Sequence, residues 1–394
     1  MYNIQTLNSI SPVYLDVLNP DKYNVASNIE NPDAIIVRSA DMHAVEFSEN
    51  LLCVGRAGAG VNNLPLDRMA HEGIVAFNSP GANANAVKEL VLAGLLLASR
   101  KITEGIEWCR TLKDGEVSIE KQVESGKKNF VGPELAGKTL GVIGLGAIGV
   151  QVANTGAALG MDVLGYDPFI SVDHAWMLSR AVHHSTSLEE VLRKSDYITV
   201  HVPLMDSTRD MINAGALEQV KPTAALLNFS RDGLVNIPAL KDALAANKLR
   251  VYVTDFPCKE LIGVDNVILT PHLGASTPES EDNCVRMVSD QIRRYIEYGS
   301  IENSVNFPNC RLNRLKIPRI ALLHQNVPNV ISSITMALSK EALNIENMIN
   351  VSRGNYAYTV VDVGHAPSAE LVSELSKLST IYRVRLLMPI GSAD

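Results

Sequence analysis

The sequence predicts an α/β fold built on parallel sheets and followed by a smaller unit with a different strand order. Short apolar runs alternate with helix-like stretches up to about residue 300. Many of these runs are continuously apolar, as strands are in a parallel sheet that is covered on both faces. The last part of the chain instead has the order strand, helix, strand, strand, helix, strand, which is ferredoxin-like.

Bulk properties limit the number of domains and the classes of partner. A chain of 394 residues is too long for one ordinary core, so we expect two or three domains. The net charge of −8 argues against nucleic acid or an anionic membrane as partner, because both require a basic surface. We find neither a signal peptide nor an apolar run that reaches the roughly 18 residues of a membrane span, so we expect a cytoplasmic protein.

The five cysteines are scattered along the chain and show no CxxC spacing. Their number is odd, which favours reduced thiols over a disulfide framework. We therefore expect buried thiols and no metal site.

The first region runs from Met1 to about Arg100. Its apolar runs, such as Ala34–Val37 and Leu51–Val54, are each followed by a turn of small residues and then by a helix-like stretch. This alternation predicts a first α/β domain.

The second region begins near Leu135, with a strand over Lys138–Ile143, a glycine-rich turn, and a helix over Val150–Leu159. A second strand follows at Met161–Tyr166. Helical segments separate most of the later strands, and the pattern predicts a doubly wound parallel sheet. The later strands are expected at Tyr197–Val202, Ala224–Phe229, Val251–Thr254 and Val267–Thr270.

A polar, helix-permissive segment over Thr277–Glu297 is expected to cross back to the first region. Asn303–Lys316 is rich in Asn, Pro and Arg, and it has the composition of a linker. The ferredoxin-like unit comes after it, with strands near Arg319–Leu323, Ile345–Val351, Tyr356–Val363 and Tyr382–Leu387 and helices near Val327–Glu341 and Ser368–Lys377.

The glycine turn Gly144-Leu-Gly146-Ala-Ile-Gly149 follows a strand and opens a helix. Gly144 permits the tight turn, Gly146 lets the backbone approach a pyrophosphate, and Gly149 allows close packing of helix on strand. The helix N-terminus offers N–H groups to the phosphates. Asp167, at the end of the next strand, suits the ribose hydroxyls and repels a 2′-phosphate. The region is therefore predicted to be a Rossmann-type domain that binds NAD rather than NADP.

Arg231, Glu260 and His272 follow three later strands, at the edge where open α/β sheets bind ligands. A histidine is suited to take the proton of a hydroxyl group, and a carboxylate beside it stabilises its cationic form. An arginine grips a carboxylate with two hydrogen bonds and polarises a forming carbonyl. The three residues predict oxidation of a 2-hydroxy acid, with the hydride passing to the nicotinamide.

These motifs resemble the D-isomer-specific 2-hydroxyacid dehydrogenases. The resemblance rests on the glycine turn and on the segments Asn228–Val235 and Thr270–Thr277. It implies Arg231, Glu260 and His272 as the catalytic residues. It also implies cofactor contacts from Gly144, Gly146, Ala147, Ile148, Gly149, Asp167, Val202, Pro203, Phe229, Ser230, Asp255, His272 and Gly274.

Within the family, Ile36–Ser39 and Val54–Val61 resemble the members that oxidise 3-phosphoglycerate. This likeness implies 3-phosphoglycerate as the substrate and a flavodoxin-like substrate domain. Two arginines suit an anion with a phosphate group. The substrate contacts implied are Arg38, Ser39, Arg56, Ala57, Gly58 and Asn83.

The tail, with Leu322–Pro328 and Ala342–Glu346, resembles the ACT regulatory domain of the same members. It implies L-serine as an effector, held by His324, Asn326 and Asn344 between two copies of the domain. A plain dimerisation module is the alternative. Either way, we expect a dimer or a tetramer.

Four positions depart from the family pattern. Ala147 replaces a common basic residue of the glycine turn. Phe229 and Asp232 alter the usual segment around the arginine and are expected to reshape the pocket, and Asn329 stands where a glycine is usual. Asn tolerates a left-handed backbone better than most residues do.

We predict a substrate-binding domain over 1–97 and 276–308, an NAD-binding domain over 98–275 and an ACT domain over 317–394. Two other functions stay open at this point. One is a dehydrogenase of another D-2-hydroxy acid, such as 2-hydroxyglutarate. The other is an NAD-sensing co-regulator without catalysis, which would not need Arg231, Glu260 and His272.

Overall fold

The computed structural model describes residues 1–389, which form two compact units. One unit combines Met1–Ala82 with the chain from Glu281 onward, and the other comprises Asn83–Ser280. The predicted α/β class and its parallel sheets are confirmed.

The N-terminal part of the first unit is a parallel sheet with the order β2-β1-β3-β4-β5. All four residues of β3 are buried, as are Cys53, Val54 and Gly55 of β4, which agrees with the continuous apolar runs. The elements are β1 (Tyr2–Leu7), β2 (Tyr23–Ala26), β3 (Ala34–Val37), β4 (Cys53–Arg56), α1 (Leu66–His71) and β5 (Val75–Phe77).

The second unit begins with three helices, α2 (Ala84–Ser99), α3 (Ile102–Thr111) and α4 (Ile119–Gly126). Helix α2 packs in the core of this unit. A Cβ placed on its Gly94 would lie 2.8 Å from Cε2 of Phe229, so the glycine permits this close approach. The contacts therefore place residues 84–99, which the sequence alone groups with the first region, in the second unit.

A second parallel sheet, with the order β12-β11-β10-β9-β6-β7-β8, forms the rest of this unit. Strand β6 lies between β9 and β7, so the chain winds outward in both directions from it. The elements are β6 (Thr139–Ile143), α5 (Ala147–Ala158), β7 (Asp162–Tyr166), α6 (Val172–Met177), β8 (Val182–His184), α7 (Leu188–Lys194), β9 (Tyr197–Val200), α8 (Ala214–Leu217), β10 (Ala225–Asn228), α9 (Ile237–Ala245), β11 (Val251–Thr254) and β12 (Val267–Leu269).

The chain then enters the long helix α10 (Pro278–Tyr298), which packs on the sheet of the first unit. A Cβ placed on Gly55 of β4 would lie 2.9 Å from Cδ1 of Ile292 and 3.1 Å from Cβ of Val288. The glycine thus lets the helix lie close against β4.

The C-terminal part is an antiparallel sheet with the order β14-β15-β13-β16, and its elements follow the predicted ferredoxin-like sequence. One face packs under two helices, and the other shares the hydrophobic core of the first sheet. The elements are β13 (Arg319–Gln325), α11 (Val330–Lys340), β14 (Ile345–Arg353), β15 (Tyr356–Val363), α12 (Ala369–Ser376) and β16 (Ile381–Leu387).

The stretch 303–316 is more ordered than its linker-like composition suggests. Phe307 is fully buried. The Asn306 side chain accepts a hydrogen bond from the Ala76 backbone N–H (3.0 Å) and donates one to the Ile74 carbonyl (2.9 Å). These bonds tie the stretch to the edge strand β5.

Among residues 1–389, no helix combines the length and apolar character needed to span a bilayer. Within the same range, no cluster of His, Cys, Asp and Glu has the arrangement of a metal site.

Candidate functional site

The glycine turn joins β6 to α5, and its three glycines have different structural roles. Gly144 adopts a φ of 92°, where a side chain is strained. A Cβ on Gly149 would overlap the Gly144 carbonyl oxygen, whereas a Cβ on Gly146 would meet nothing within 4 Å. Gly146 therefore leaves open space in front of the first N–H groups of α5, which have no partner inside the helix.

Asp167, just past β7, is tied to this turn. Its Oδ2 accepts a hydrogen bond from the Leu145 N–H and its Oδ1 accepts one from the Phe169 N–H, both at 2.8 Å. The bonds fix the carboxylate beside the turn, and its remaining lone pairs can still accept hydroxyl protons.

Asn228, at the end of β10, builds the loop that carries Arg231. Its buried side chain donates to the Arg231 carbonyl (2.9 Å) and accepts from the Ser230 N–H (3.1 Å). Ser230 Oγ donates to the Val202 carbonyl (2.7 Å), which links this loop to the one after β9. Arg231 itself is exposed.

Phe229 in the same segment is only 5% exposed. Its ring lies in the core against α2, so its side chain does not reshape a pocket as the sequence comparison suggests. Asp232 is exposed.

Asp255 and His272 meet beyond β11 and β12. The His272 backbone N–H donates to the Asp255 carbonyl (2.9 Å), and the Gly274 N–H donates to Asp255 Oδ2 (3.0 Å). Asp255 Oδ1 is buried without a hydrogen-bond partner, and burial raises the pKa of this carboxyl. His272 adopts a φ of 51° and its side chain is exposed.

The structure brings His272 and Asp255 together but does not pair His272 with Glu260. The described contacts include no ion pair between these two side chains; burial and a hydrogen bond with the Glu260 carboxylate raise the pKa of the Cys258 thiol. Hydrogen bonds of an acid–base pair are often loose before substrate is present.

Two residues near the site are not indicated by any sequence motif. The Phe256 ring packs edge-on against the His272 imidazole, with the ring centroids 5.0 Å apart. His201, after β9, donates or accepts at Nε2 with Thr199 Oγ1 (2.9 Å), and burial lowers its pKa to about 3, so it stays neutral. Neither has a motif of its own, because each depends on a contact between separate segments.

Arg38 and Arg56 lie at the carboxyl ends of the neighbouring strands β3 and β4 in the first unit. Arg56 Nε donates to the Arg38 carbonyl (3.1 Å). A Cβ on Gly58, which has a φ of 149°, would overlap Arg56 Nη1, so the guanidinium lies against this glycine. Ala57 is buried.

Ser39 is exposed, and Asn8 Oδ1 accepts a hydrogen bond from its backbone N–H (3.0 Å). Asn83 belongs to the second unit, where it precedes the first turn of α2 and its backbone carbonyl accepts a hydrogen bond from the Val87 N–H (3.1 Å).

In the C-terminal sheet, His324 is only 2% exposed. Its ring nitrogens bond the Gln325 carbonyl (2.8 Å) and Thr359 Oγ1 (2.7 Å), and burial lowers its pKa. The Asn326 and Asn344 side chains are exposed. Asn329 adopts a φ of 69°, the left-handed conformation for which a glycine is usual.

The residues present fit a nicotinamide dinucleotide. Open space at Gly146 admits a pyrophosphate to the start of α5, and Asp167 lies where an adenosine ribose needs an acceptor. The unpartnered Asp255 Oδ1 can accept an amide N–H, as a carboxamide provides. A doubly wound sheet with this turn and with acid–base side chains past its strand ends defines an NAD-dependent dehydrogenase.

Comparison with known proteins identifies the family. Residues 92–274 match the model of the D-isomer specific 2-hydroxyacid dehydrogenase, NAD binding domain. The chain belongs to the D-isomer specific 2-hydroxyacid dehydrogenases, and relatives that match it over most of its length include D-3-phosphoglycerate dehydrogenases. Its cofactor is NAD.

Among these relatives, D-3-phosphoglycerate dehydrogenase 1 of Saccharomyces cerevisiae is 32% identical, over 91% of this chain and 79% of its own length. The Haemophilus influenzae enzyme is 32% identical over 87% of this chain and 83% of its own. The Methanocaldococcus jannaschii enzyme is 36% identical over 79% of this chain, which spans only 59% of that longer protein.

Solved structures show the same fold. The NAD⁺-bound 3-phosphoglycerate dehydrogenase of Entamoeba histolytica aligns with a TM-score of 0.60 at 23% identity, covering 79% of this chain and 99% of that one. The holo form of Rhodotorula graminis D-mandelate dehydrogenase aligns with a TM-score of 0.65 at 25% identity, again over 79% and 99%.

Proposed function

We propose that the protein oxidises D-3-phosphoglycerate to 3-phosphohydroxypyruvate with NAD, the reaction that begins L-serine synthesis. The observation that carries the choice of a substrate with two anionic groups, such as this one, is the position of Arg38 and Arg56 on neighbouring strand ends. Relatives that carry the printed name D-3-phosphoglycerate dehydrogenase match over most of the chain, which supports the same choice.

Each side chain has a role in this reaction. The His272 imidazole takes the proton of the substrate hydroxyl group. Arg231 donates to the substrate carboxylate and to the oxygen that becomes the carbonyl. Glu260 stabilises the protonated imidazole when its carboxylate turns from Cys258 to His272. The bound NAD supplies the acceptor for the hydride.

Arg38 and Arg56 hold the phosphate group of the substrate. Arginine suits this role because its planar N–H donors match two oxygens of a phosphate at once. Ser39, Ala57, Gly58 and Asn83 complete the substrate contacts in this proposal. We assign residues 1–82 with 281–308 to substrate binding, 83–280 to the cofactor, and 317–394 to an ACT domain.

The ACT domain is proposed to bind L-serine. The exposed amides of Asn326 and Asn344 can reach a ligand, whereas His324 supports the neighbouring loop from inside the sheet. Self-association as a dimer or tetramer is part of the proposal. Helices α3 and α4 expose apolar side chains, among them Ile102, Ile106 and Ile119, as a surface does that contacts a second copy.

A steady-state assay with NAD tests the function. We expect turnover of D-3-phosphoglycerate, and the proposal fails if the protein oxidises D-2-hydroxyglutarate but not D-3-phosphoglycerate.

His272→Ala should lower kcat by at least about 100-fold with NADH binding nearly unchanged, because a general base contributes about 10²- to 10⁴-fold. Unchanged activity of this variant would remove His272 from the mechanism. The same assay with and without L-serine tests the effector.

A further inference from the structure

Arg38 is paired with Glu281, a residue more than two hundred positions away in the sequence. The ion pair joins Arg38 Nη1 to Glu281 Oε1, and the two side chains are 40% and 38% exposed. A carboxylate of the protein itself thus forms an ion pair with one of the arginines that the proposed function assigns to the substrate phosphate.

Helix α10 holds Glu281 in its place. Glu281 lies in the first turn of the helix, and further along Val288 and Ile292 pack against Gly55, next to Arg56. At the far end, Arg385 donates to the Tyr295 and Ile296 carbonyls (3.0 and 2.9 Å). The helix is therefore fixed on the sheet at its middle and at its end, and Glu281 sits on a rigid element.

The neighbouring carboxylate has a different partner. Asp282 Oδ1 accepts a hydrogen bond from Ser11 Oγ at 2.5 Å, and the described contacts give it no bond to an arginine. Two carboxylates in one helical turn thus differ in a single respect that matters here, contact with Arg38.

The pairing leaves part of the guanidinium available. Within the described residues, no side-chain contact of Arg38 other than that to Glu281 is found, so Nε and Nη2 can still donate to an anion. An ion pair as exposed as this one is weak. A phosphate, with up to two charges and three acceptor oxygens, can therefore displace Glu281.

We propose that Glu281 is a specificity-determining residue, an internal counter-ion of Arg38 that an anionic substrate must displace and that thereby sets substrate affinity. The inference rests on the proposed function, because it requires Arg38 to bind the substrate phosphate. Glu281 touches no reacting atom, so its charge affects KM and leaves kcat alone.

Glu281→Gln tests the charge, because glutamine keeps the length and the hydrogen-bonding capacity of the side chain. We expect KM for D-3-phosphoglycerate to fall about 2- to 5-fold, as for the loss of an exposed ion pair, with kcat and NADH affinity unchanged. The ratio of the two KM values should approach one at 0.5 M salt, because salt screens exposed charges. An unchanged or raised KM overturns the proposal, and a raised KM would mean that Glu281 only orients Arg38.

Asp282→Asn is the matched control, since it removes the same charge from the same turn without touching Arg38. Its KM should equal that of the unaltered protein, and an equal fall in both variants overturns the proposal in favour of a general field effect. In an Arg38→Ala background, Glu281→Gln should have no effect on KM. A fall in KM that persists there also overturns it.

The result separates this inference from the proposed function. If the unaltered protein does not oxidise D-3-phosphoglycerate, the function is wrong, and the same variants are then measured on the acid that is oxidised. If the protein is active and Glu281→Gln has an unchanged KM, only the inference is wrong. Thermal unfolding of each variant checks that the fold is intact.

Discussion

At the scale of single residues, backbone glycines decide where the charged side chains lie. Arg56 is held by its Nε bond to the Arg38 carbonyl and by the space above Gly58. Gly58 has a φ of 149°, a conformation that residues with a side chain rarely adopt. The position of the guanidinium therefore depends on a neighbour that has no side chain.

Gly58→Ala should displace Arg56 and weaken substrate binding. The new Cβ would lie 2.8 Å from Cζ of Arg56, and the backbone strain would cost about 1–3 kcal/mol. We expect KM for the substrate to rise at least about 5-fold, by analogy with a lost charged hydrogen bond, with NADH affinity unchanged. Steady-state kinetics and NADH fluorescence titration measure the two effects.

Gly60→Ala is its control. A Cβ at this position would make only ordinary van der Waals contacts, with Asn62 Oδ1 at 3.8 Å and Arg56 Nη1 at 3.9 Å, and the backbone has no positive φ there. Equal effects of the two substitutions would show that the loop, and not the Arg56 contact, governs binding.

At the scale of elements, the glycines of the turn between β6 and α5 serve two different purposes. Some are required for folding, and one is required for cofactor binding. Gly144 and Gly149 face each other closely, so a side chain at Gly149 is excluded by the fold itself. Gly146 faces open space. Its lack of a side chain matters only when a cofactor phosphate approaches.

Gly146→Ala should therefore fold normally and bind the cofactor poorly. We expect a melting temperature within about 2 °C of the unaltered protein, because an exposed change costs less than about 0.5 kcal/mol. The Kd for NADH should rise at least about 10-fold, since the methyl group blocks the approach of the pyrophosphate.

Gly149→Ala provides the contrast. Its Cβ would overlap the Gly144 carbonyl oxygen, so it should lower the melting temperature even without NADH. If Gly146→Ala bound NADH with normal affinity, the pyrophosphate would have to lie elsewhere.

At the scale of the whole molecule, the C-terminal sheet shares a core with the first sheet. Tyr358 and Leu387 belong to the same buried cluster as Phe77 and Tyr295. Arg385 lies over the Tyr295 ring at 4.5 Å and bonds the last carbonyls of α10, where a cation also favours the helix dipole. The C-terminal domain therefore contributes to the stability of the first unit.

Arg385→Ala should destabilise this unit by about 2–4 kcal/mol, because two charge-assisted hydrogen bonds and a cation–π contact are lost. Denaturant unfolding measures the change. Arg311→Ala is the control, since Arg311 is 82% exposed and its ion pair within residues 1–389 is with Glu302. The expected cost of this control is below about 1 kcal/mol. Similar values for both would mean that the Arg385 contacts contribute little.

Much of the fold could be predicted because local patterns control it. The apolar runs that predict β3, β11 and β15 lie where the structure has these strands. The glycine turn and Asp167 can also be predicted from local sequence, since a short strand–turn–helix segment specifies both.

Other features could not be predicted, because they depend on distant residues. Phe229 turns into the core where α2 offers Gly94, and both His324 nitrogens are bonded inside the sheet. The sequence pattern predicts Glu260 as a partner of His272, yet its carboxylate is hydrogen-bonded to the Cys258 thiol. Side-chain direction follows from packing, which a linear pattern does not contain.

The sequence by itself therefore determined the α/β class, the cofactor turn and the residue types needed for 2-hydroxy acid oxidation. These features follow from local periodicity and from short motifs whose residue spacing is set by the chemistry that they perform. Only the tertiary structure decided that Arg38 meets Glu281 and that the C-terminal sheet joins the first core. Such contacts join residues hundreds of positions apart, and the packing of α10 on β4 brings them together.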